Sequence, residues 1–380
     1  MTDARHEPSD RRAIDVMLRE IDTIPGVIAD QAEALRPALR AVAAEAGRDI
    51  EDVVLTGCGD SYFAGLAVRL AFEKFAGVRC LPAEALEFAR YHVRYIPREQ
   101  QPLLVAVSYS GEVGRTIEAA GTAEGFGWRT VALTGRPEGR LAQQVRRPVL
   151  MSVPTLGFSP GTSTYIAMVT ALLVLAAELA RARGRQEDAS TIDEGLRRAP
   201  ELARRTLERS ETAAREAAEE ISAAPVTTYL GAGPSRAAAA FGAAKLFEGP
   251  QRYGVAQDLE EWAHEQYFIS GRSTPIVVIA PAGASHDRAI ELIDEMAFIG
   301  APAFLVSDGA PPGALPRARY VPVESGLDEA VSGLLTPLPL ALIGFFVSQA
   351  LGTRAYGFPT AEHEREHYET IHRDTRNEPA

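Results

Sequence analysis

The sequence predicts an α/β protein built from two similar units in tandem, each with a parallel sheet covered by helices. Two observations lead to this prediction. Short β-branched runs alternate with longer helical segments along the chain, a pattern typical of parallel βα units. In addition, Gly57, Gly59 and Ser61 recur 174 residues later as Gly231, Gly233 and Ser235. Since 380 residues can bury two ordinary cores, one α/β unit present twice accounts for both observations.

Individual elements follow from the same pattern. A helical segment is predicted at residues 1–45, and a charged helical connector at residues 186–223. The first unit spans residues 46–185, with strands at 53–55, 103–107 and 130–133 and a long apolar helix at 163–183. The second unit spans residues 224–350, with strands at 227–230, 276–279 and 303–306. Residues 351–380 are predicted to form a C-terminal tail.

The composition is that of a globular protein and argues against several classes of partner. Hydrophobic residues make up 46% of the chain and charged residues 24%. With a net charge of −12 and no stripe of Lys or Arg, neither nucleic acid nor an anionic membrane surface is expected as a partner. Residues 166–179 and 334–347 are strongly apolar but shorter than the roughly 20 residues that span a bilayer, so both are predicted to be buried core helices.

The cysteine content and the N-terminus predict a cytoplasmic location. The chain has only two cysteines, Cys58 and Cys80, which suits a reducing compartment. The first residues lack the apolar stretch of a signal peptide.

A turn rich in hydroxyl groups follows the predicted strand at residues 103–107. Ser108, Tyr109 and Ser110 precede Gly111, and a helix begins shortly afterwards. Free N–H groups and the positive end of a helix would then surround the two serine hydroxyls, which makes this turn a candidate anion site. An N-cap serine would explain one of these hydroxyls but not the whole S-x-S-G-E pattern.

Two further hydroxyl-bearing segments are expected near this turn. Ser61 occupies the equivalent turn after the preceding strand, and both turns lie at the carboxyl edge of an open parallel sheet, where ligands bind. Ser163 stands in a Thr-Ser-Thr sequence that opens the long apolar helix. In the second unit the matching turn is residues 280–284, and none of these residues carries a hydroxyl. Ser285 is the next residue. Only the first unit is therefore predicted to bind an anion.

The second unit carries candidate acid–base residues instead. Lys245 and Glu248 are three residues apart on one predicted helix, and hence on one face of it. Glu261 and His264 have the same spacing a little further on. A carboxylate can carry a proton between adjacent carbons of an open-chain sugar, a His can assist ring opening, and a Lys can balance enediolate charge. Taken alone, each pair would also fit a solvated i,i+3 pair on the surface.

These motifs together resemble the isomerase half of glucosamine-6-phosphate synthase and its tandem sugar-isomerase (SIS) relatives. The resemblance covers residues 50–355 and rests on residues 57–62, 108–112 and 231–248. It implies two flavodoxin-like, three-layer αβα SIS domains with parallel sheets. It also implies that Glu248 is the enolisation base, that His264 assists ring opening and that Lys245 belongs to the catalytic site. The phosphate contacts of the family fall on Ser61, Ser108, Ser110 and Ser163, with Tyr109 between the two loop serines.

Several departures from the family pattern affect the expected chemistry. No cysteine follows Met1, so no glutaminase domain is expected, and the tail has no lysine at the position that engages the open-chain ketose. A threonine of the phosphate loop is replaced by Val113, and a glutamine by Tyr109. Amination by ammonia is therefore not expected, whereas proton transfer is. The altered loop also allows a sulfonate or carboxylate tail in place of phosphate.

The sequence thus predicts an aldose–ketose isomerase acting on a hexose or aminohexose with an anionic tail. Two alternatives remain: a deaminase or deglycase of amino-sugar phosphates, and a non-catalytic sugar-phosphate sensor. No cofactor is expected. No metal is expected either, because His363, His367 and His372 in the tail alternate with glutamates, a pattern that favours a solvated or subunit-swapped helix. From the resemblance, a homodimer with shared active sites is expected, with the tail over the active site and His264 supplied across the interface.

Overall fold

The computed structural model describes residues 14–96, 102–309, 316–324 and 326–373. The chain opens with two helices, α1 (Asp15–Ala34) and α2 (Arg36–Ala46). Parts of the predicted N-terminal segment and of the predicted tail, residues 1–13 and 374–380, lie outside the described residues.

The first domain contains a sheet of five parallel strands in the order β2-β1-β3-β4-β5. The strands are β1 (Asp52–Gly57), β2 (Arg79–Glu84), β3 (Leu103–Val107), β4 (Arg129–Thr134) and β5 (Arg147–Leu150). The helices between and after them are α3 (Asp60–Ala71, extended by a π-helical turn at Phe72–Ala76), α4 (Ala85–Glu87, followed by a second π-helical turn at Phe88–His92), α5 (Gly114–Gly125), α6 (Arg140–Gln144) and α7 (Ser163–Ala182).

A helix of 38 residues, α8 (Gln186–Ala223), leads to the second domain. Its strands are β6 (Val226–Gly231), β7 (Tyr253–Asp258), β8 (Ile276–Ile279), β9 (Ala303–Ser307) and β10 (Arg319–Pro322). The remaining helices are α9 (Pro234–Glu248), α10 (Leu259–His264, followed by a 3₁₀ turn at Gln266–Ile269), α11 (His286–Phe298), a 3₁₀ helix at Glu329–Leu334, α12 (Pro337–Leu351) and α13 (Ala361–His372).

The second sheet repeats the first. Its five parallel strands have the order β10-β9-β8-β6-β7, which is the 2-1-3-4-5 order of the first sheet counted from β6. This is the flavodoxin-like arrangement, with a topological switch point beside the first strand of each sheet. The predicted fold class, two parallel αβα domains in tandem, is confirmed.

Four strands have no counterpart in the sequence-based prediction, and they are the edge strands of the two sheets: β2, β5, β7 and β10. The central strands β3 and β8 are buried at every residue, whereas β2 alternates between buried and exposed residues and contains Pro82. A continuous apolar run marks a strand that is covered on both faces, so an edge strand with polar residues lacks this signal.

The long apolar segments form core helices, as predicted. Ser163–Ala182 and Glu329–Leu351 are long and apolar enough to cross a membrane on length and composition, but 94% and 100% of their most apolar stretches are buried inside the fold. Helix α7 packs against α1, α2, α3 and α8, while α12 packs against α8 and α9. One hydrophobic core therefore joins the two domains.

Candidate active site

Lys245 lies at the centre of a buried polar cluster. Its side chain is fully buried on α9, one helical turn before Glu248. The ammonium donates to Glu248 Oε2 at 2.6 Å, to Asp60 Oδ2 at 2.9 Å and to the carbonyl oxygen of Gly161 at 2.9 Å. These three acceptors use all three N–H donors of the lysine. The predicted pair Lys245 and Glu248 is thus brought together, with partners that the sequence analysis did not include.

The two additional partners come from the first domain. Asp60 is the first residue of α3, directly after the turn that ends β1. Gly161 lies just before α7 and approaches Asp60 so closely that a Cβ atom on it would lie 2.6 Å from Asp60 Oδ2. The cluster therefore spans both domains, with Lys245 and Glu248 on one side and Asp60 and Gly161 on the other.

Burial and charge set the protonation of this cluster. Burial raises the pKa of Glu248 to about 7, with the Lys245 ammonium opposing the rise and Asp60 adding to it. Burial would lower the pKa of Lys245, but the carboxylates of Asp60 and Glu248 outweigh it and raise that pKa. Lys245 thus stays charged at neutral pH, while Glu248 gains or loses a proton near neutrality.

Tyr356 encloses Glu248 from the side of the tail. Its main-chain N–H donates to the carbonyl oxygen of Glu248 at 2.7 Å, and its phenol is hydrogen-bonded to the Glu248 carboxylate. The backbone of Tyr356 has φ of 49°, a left-handed conformation that is uncommon for a non-glycine residue and clusters at functional sites. Burial, followed by the nearby carboxylates, raises the pKa of this phenol.

The predicted anion loop follows β3 and is built as a donor-rich turn. Gly111 adopts φ of +68°, and its N–H donates to Ser108 Oγ at 3.2 Å. The N–H of Glu112 donates to Ser110 Oγ at 3.4 Å. Both serine oxygens act as acceptors here, which leaves each hydroxyl hydrogen for donation to a ligand. Helix α5 then begins at Gly114 without a side-chain cap, so its first N–H groups also face this end.

Ser61 and Ser163 lie in neighbouring segments at the same edge of the first sheet. A Cβ atom on Gly57 would lie 2.6 Å from Ser61 Cβ and 2.9 Å from the carbonyl oxygen of Val107, so the turn after β1 is packed against the end of β3. The hydroxyl of Ser61 reaches Met168 Sδ of α7 at 3.3 Å. Ser163 begins α7, two residues after Gly161. These segments connect the anion loop with the acid–base cluster.

Several polar atoms near the cluster are buried without a hydrogen-bond partner among the described residues: Asp60 Oδ1, Thr162 Oγ1, Ser163 Oγ and the Tyr165 hydroxyl. Buried polar atoms in folded proteins are normally paired, with protein, water or a ligand. Their concentration around Gly161 is typical of a surface that binds a polar ligand.

Two predicted site residues lie elsewhere. The ring of Tyr109 packs towards Gly135, and its hydroxyl accepts a hydrogen bond from the N–H of Val153 at 3.2 Å. Its phenol is therefore bonded to a later segment of the chain, and an anion-binding role for Tyr109 stays a prediction. His264 ends α10 with 67% of its side chain exposed, and the contact described for it is to Glu260 at 3.4 Å. Within one chain, the structure does not bring His264 to Glu248.

The tail runs from the acid–base cluster towards the anion loop. Phe158 contacts the rings of Tyr356 and Tyr368, with centroid distances of 5.0 and 6.1 Å. Arg140 forms an ion pair with Glu112 of the anion loop at 2.8 Å and donates to the carbonyl oxygen of His372 at 2.6 Å. The end of α13 is thus attached next to residues 108–112.

The residues that sequence reasoning missed are Asp60, Gly161 and Tyr356. Asp60 stands beside Ser61 in the glycine-rich turn, so its place at the ligand edge was available from the motif. Gly161 contributes its carbonyl oxygen and allows a close approach because it has no side chain. Tyr356 depends on its left-handed backbone conformation. Neither property has a signature in one sequence.

The fold and the candidate site define a class: a two-domain α/β protein with a serine-rich loop in the first domain and a buried Lys–Glu pair from the second. Residues 48–178 match the family model described as the SIS domain. The first domain therefore matches the SIS domain, while the relatives and structural neighbours described below resemble both domains of the chain.

Among curated relatives, the glutamine–fructose-6-phosphate aminotransferase (isomerizing) of Gloeobacter violaceus is 27% identical over 343 residues, which is 88% of this chain and 56% of that protein. The corresponding protein of Thermococcus kodakarensis is 28% identical over 88% of this chain and 55% of its own length. The chain therefore spans about half the length of the curated relatives it matches.

Solved structures share the fold at lower identity. The C-terminal domain of glucosamine-fructose-6-phosphate aminotransferase from Francisella tularensis superposes with a TM-score of 0.81 at 20% identity, over 93% of this chain and all of that one. Tagatose-6-phosphate ketose/aldose isomerase from Escherichia coli has a TM-score of 0.72 at 16% identity, over 89% and 93% of the two chains. Glucosamine-6-phosphate deaminase from Thermotoga maritima has a TM-score of 0.65 at 18% identity, over 90% and 97%.

Proposed function

We propose that the protein is an aldose–ketose isomerase that acts on a hexose or aminohexose with an anionic tail, such as a sugar 6-phosphate or a 6-sulfo sugar. The observation that carries this proposal is the Lys245–Glu248–Asp60 cluster, in which Asp60 of the first domain stands next to Ser61. The names of the relatives and neighbours, which include an isomerizing aminotransferase and a ketose/aldose isomerase, support the same reaction class.

In the proposed reaction, Ser61, Ser108, Ser110 and Ser163 hold the anionic tail, while Glu248 works at the other end of the open-chain sugar. The ionised Glu248 removes the proton from the carbon next to the carbonyl, and the electron pair moves to the carbonyl oxygen to give an enediolate. A second proton transfer between the two oxygens, followed by return of the first proton to the neighbouring carbon, completes the isomerisation. No atom is gained or lost, and no oxidant is needed.

In this proposal Lys245 has a positioning role. All three of its N–H donors are already directed at Glu248, Asp60 and Gly161. Its charge holds the Glu248 carboxylate in one orientation and limits the rise of its pKa, so that a useful fraction is ionised near neutrality. Stabilisation of the enediolate then falls to other donors, among which the unpaired hydroxyl of Thr162 directly follows Gly161 in the chain.

Proton exchange in deuterated water tests this proposal directly. A panel of hexose 6-phosphates, amino-sugar phosphates and 6-sulfo sugars is incubated with the enzyme, and deuterium at C2 is followed by NMR. The wild type and Glu219→Gln, an exposed change on α8, should label the substrate equally. Glu248→Gln should lose at least about 100-fold in exchange rate, because removal of a general base typically costs 10²–10⁴-fold. The wild-type rate should rise with pH through about 7, as Glu248 ionises.

The same assay separates the alternatives. Exchange by Glu248→Gln at the wild-type rate would place the base elsewhere and remove the central residue of the proposal. Release of ammonia from an amino-sugar phosphate would identify the deaminase or deglycase reaction, for which the fold shared with glucosamine-6-phosphate deaminase is the supporting observation. Tight binding without exchange or turnover would identify a sensor.

A cytoplasmic location is also proposed. Both cysteines are free: Cys58 is exposed, while Cys80 is buried in the core. Unpaired cysteines suit a reducing compartment.

A further inference from the structure

The carboxyl edge of the second sheet repeats the geometry that forms the anion loop in the first domain. In each sheet, the switch point lies between the first strand and the third: β1 and β3 in the first domain, β6 and β8 in the second. The two turns at this point are residues 57–61 and 108–112 in the first domain, and residues 231–235 and 280–284 in the second. Ligands of open α/β sheets bind in this crevice.

In the second domain, carboxylates of the chain itself occupy this crevice. The N–H of Ala284 donates to Glu329 Oε2 at 3.1 Å, and the N–H of Ala282 donates to Asp308 Oδ1 at 2.7 Å. The Glu329 carboxylate rests against Gly283, where a Cβ atom would lie 2.5 Å from Oε1. The same oxygen is 4.0 Å from the position of a Cβ atom on Gly233, in the other turn.

The corresponding groups of the first domain are arranged differently. By the repeat, Glu112 corresponds to Ala284, and its N–H donates to the hydroxyl of Ser110 rather than to a carboxylate. The residue that follows β4 is Gly135, whereas the residue that follows β9 is Asp308. The first loop therefore presents serine hydroxyls. The second loop presents backbone N–H groups that are already hydrogen-bonded to the carboxylates of Asp308 and Glu329.

The segment that carries Glu329 is fixed from both domains. Asp328 caps the 3₁₀ helix, since its Oδ1 accepts from the N–H of Ala330 at 3.0 Å. Its Oδ2 accepts from Lys74 of the first domain at 2.6 Å. The cavity that remains at this edge has a volume of only about 10 Å³. Its lining includes Asp308, Glu324 and Glu329. That volume is too small for a phosphate, and the Glu329 carboxylate, which lies against Gly283, repels one.

We propose that Glu329 is an internal ligand. Its carboxylate takes the place that the oxoanion of a ligand takes at the corresponding loop of the first domain, and it closes the second loop to phosphate and similar anions. The comparison with the first loop rests on the proposed function, whereas the closure of the second loop does not. Shortening Glu329 would then convert the second loop into an anion site that the wild type lacks.

Thermal unfolding in inorganic phosphate, at constant ionic strength maintained with chloride, tests the proposal. The slope of the unfolding temperature against the logarithm of phosphate concentration reports the number of phosphates bound by the folded state. Glu329→Ala should gain one bound phosphate, so its slope should be about twice that of a wild type that binds one. Glu295→Ala, an exposed change on α11, should keep the wild-type slope.

Glu329→Ser provides a second variant that restores a hydroxyl like those of the first loop, and it decides the question if the alanine variant does not fold. A wild-type slope in the folded Glu329 variants would contradict the internal-ligand proposal. The wild-type slope itself reports on the first loop, so a failure of the anion loop in the first domain would be seen separately from a failure at Glu329.

Discussion

At the scale of single residues, the proposed catalytic role of Glu248 comes with a cost in stability. An acid whose pKa is raised in the folded state prefers to be folded when it is protonated. Between the unfolded value near 4.5 and the folded value of about 7, the folded chain holds a proton that the unfolded chain releases. Stability contributed by this residue is therefore lost as the pH rises through that window.

The prediction at this scale concerns the stability of Glu248→Gln. Glutamine keeps the shape of the protonated acid and cannot ionise. The variant should be more stable than the wild type at pH 8, by on the order of 3 kcal/mol, because a shift of one pKa unit corresponds to about 1.4 kcal/mol. The difference should vanish towards pH 5. Chemical unfolding of both proteins at pH 5, 6, 7 and 8 measures it.

The exposed change Glu219→Gln is the matched control for this measurement and should show no such pH dependence. If Glu248→Gln were less stable than the wild type at pH 8, the carboxylate would be stabilised rather than strained by its surroundings. The ion pair with Lys245 would then dominate over burial.

At the scale of elements, the anion loop shows how much of the site a sequence can specify. Ser108, Ser110 and Ser61 were placed at the ligand edge because a strand, a glycine-rich turn and a helix follow one another in the pattern. Lys245 and Glu248 were paired by helical spacing. The orientation of Tyr109 was not predictable in this way, since it depends on a hydrogen bond to Val153 of a later segment. The edge strands were missed for a related reason. Each of them is a strand because it pairs with a neighbouring strand, and its own sequence carries no clear signal of that pairing.

The prediction at this scale concerns Ser110→Ala. The substitution removes one hydroxyl donor to the anionic tail of the substrate, and a hydrogen bond to a charged group contributes about 1.5–3 kcal/mol. KM for the sugar identified by the exchange assay should rise about 10- to 100-fold, with a smaller change in kcat.

Steady-state kinetics of Ser110→Ala are compared with those of Ser273→Ala, which changes an exposed serine before β8. An unchanged KM in Ser110→Ala would show that the loop does not hold the substrate anion.

At the scale of the whole molecule, the predicted dimer depends on surfaces other than the apolar helices α7 and α12, which are buried within one chain. The prediction rests on the resemblance, and on His264 and its surroundings. Phe268 and Ile269, shortly after His264, are 76% and 81% exposed, and Tyr253 on the edge strand β7 is 72% exposed. The predicted interface would cover these exposed apolar side chains, and their burial in it would be favourable.

Mixing two inactive variants tests whether a dimer shares its active sites. Glu248→Gln lacks the base, and His264→Asn should be slow with the closed sugar, because ring opening precedes enolisation. Co-expressed chains in equal amounts should regain about one quarter of the wild-type sites, since half of the dimers are mixed and each contains one intact site.

No recovery in the mixture, although sedimentation shows a dimer, would mean that His264 does not act across the interface. A monomer at micromolar concentration would contradict the prediction altogether.

The contact of Lys245 with Asp60 and Gly161 also has a consequence for synthesis of the protein. Chains leave the ribosome from the N-terminus, and domains generally fold as they emerge. The first domain, with its serine loop, Asp60 and Gly161, is therefore complete before α9 has been translated. During that interval the nascent chain holds the groups proposed to bind an anion but lacks the proposed base, so the proposed reaction requires α9 to bring Lys245 against Asp60.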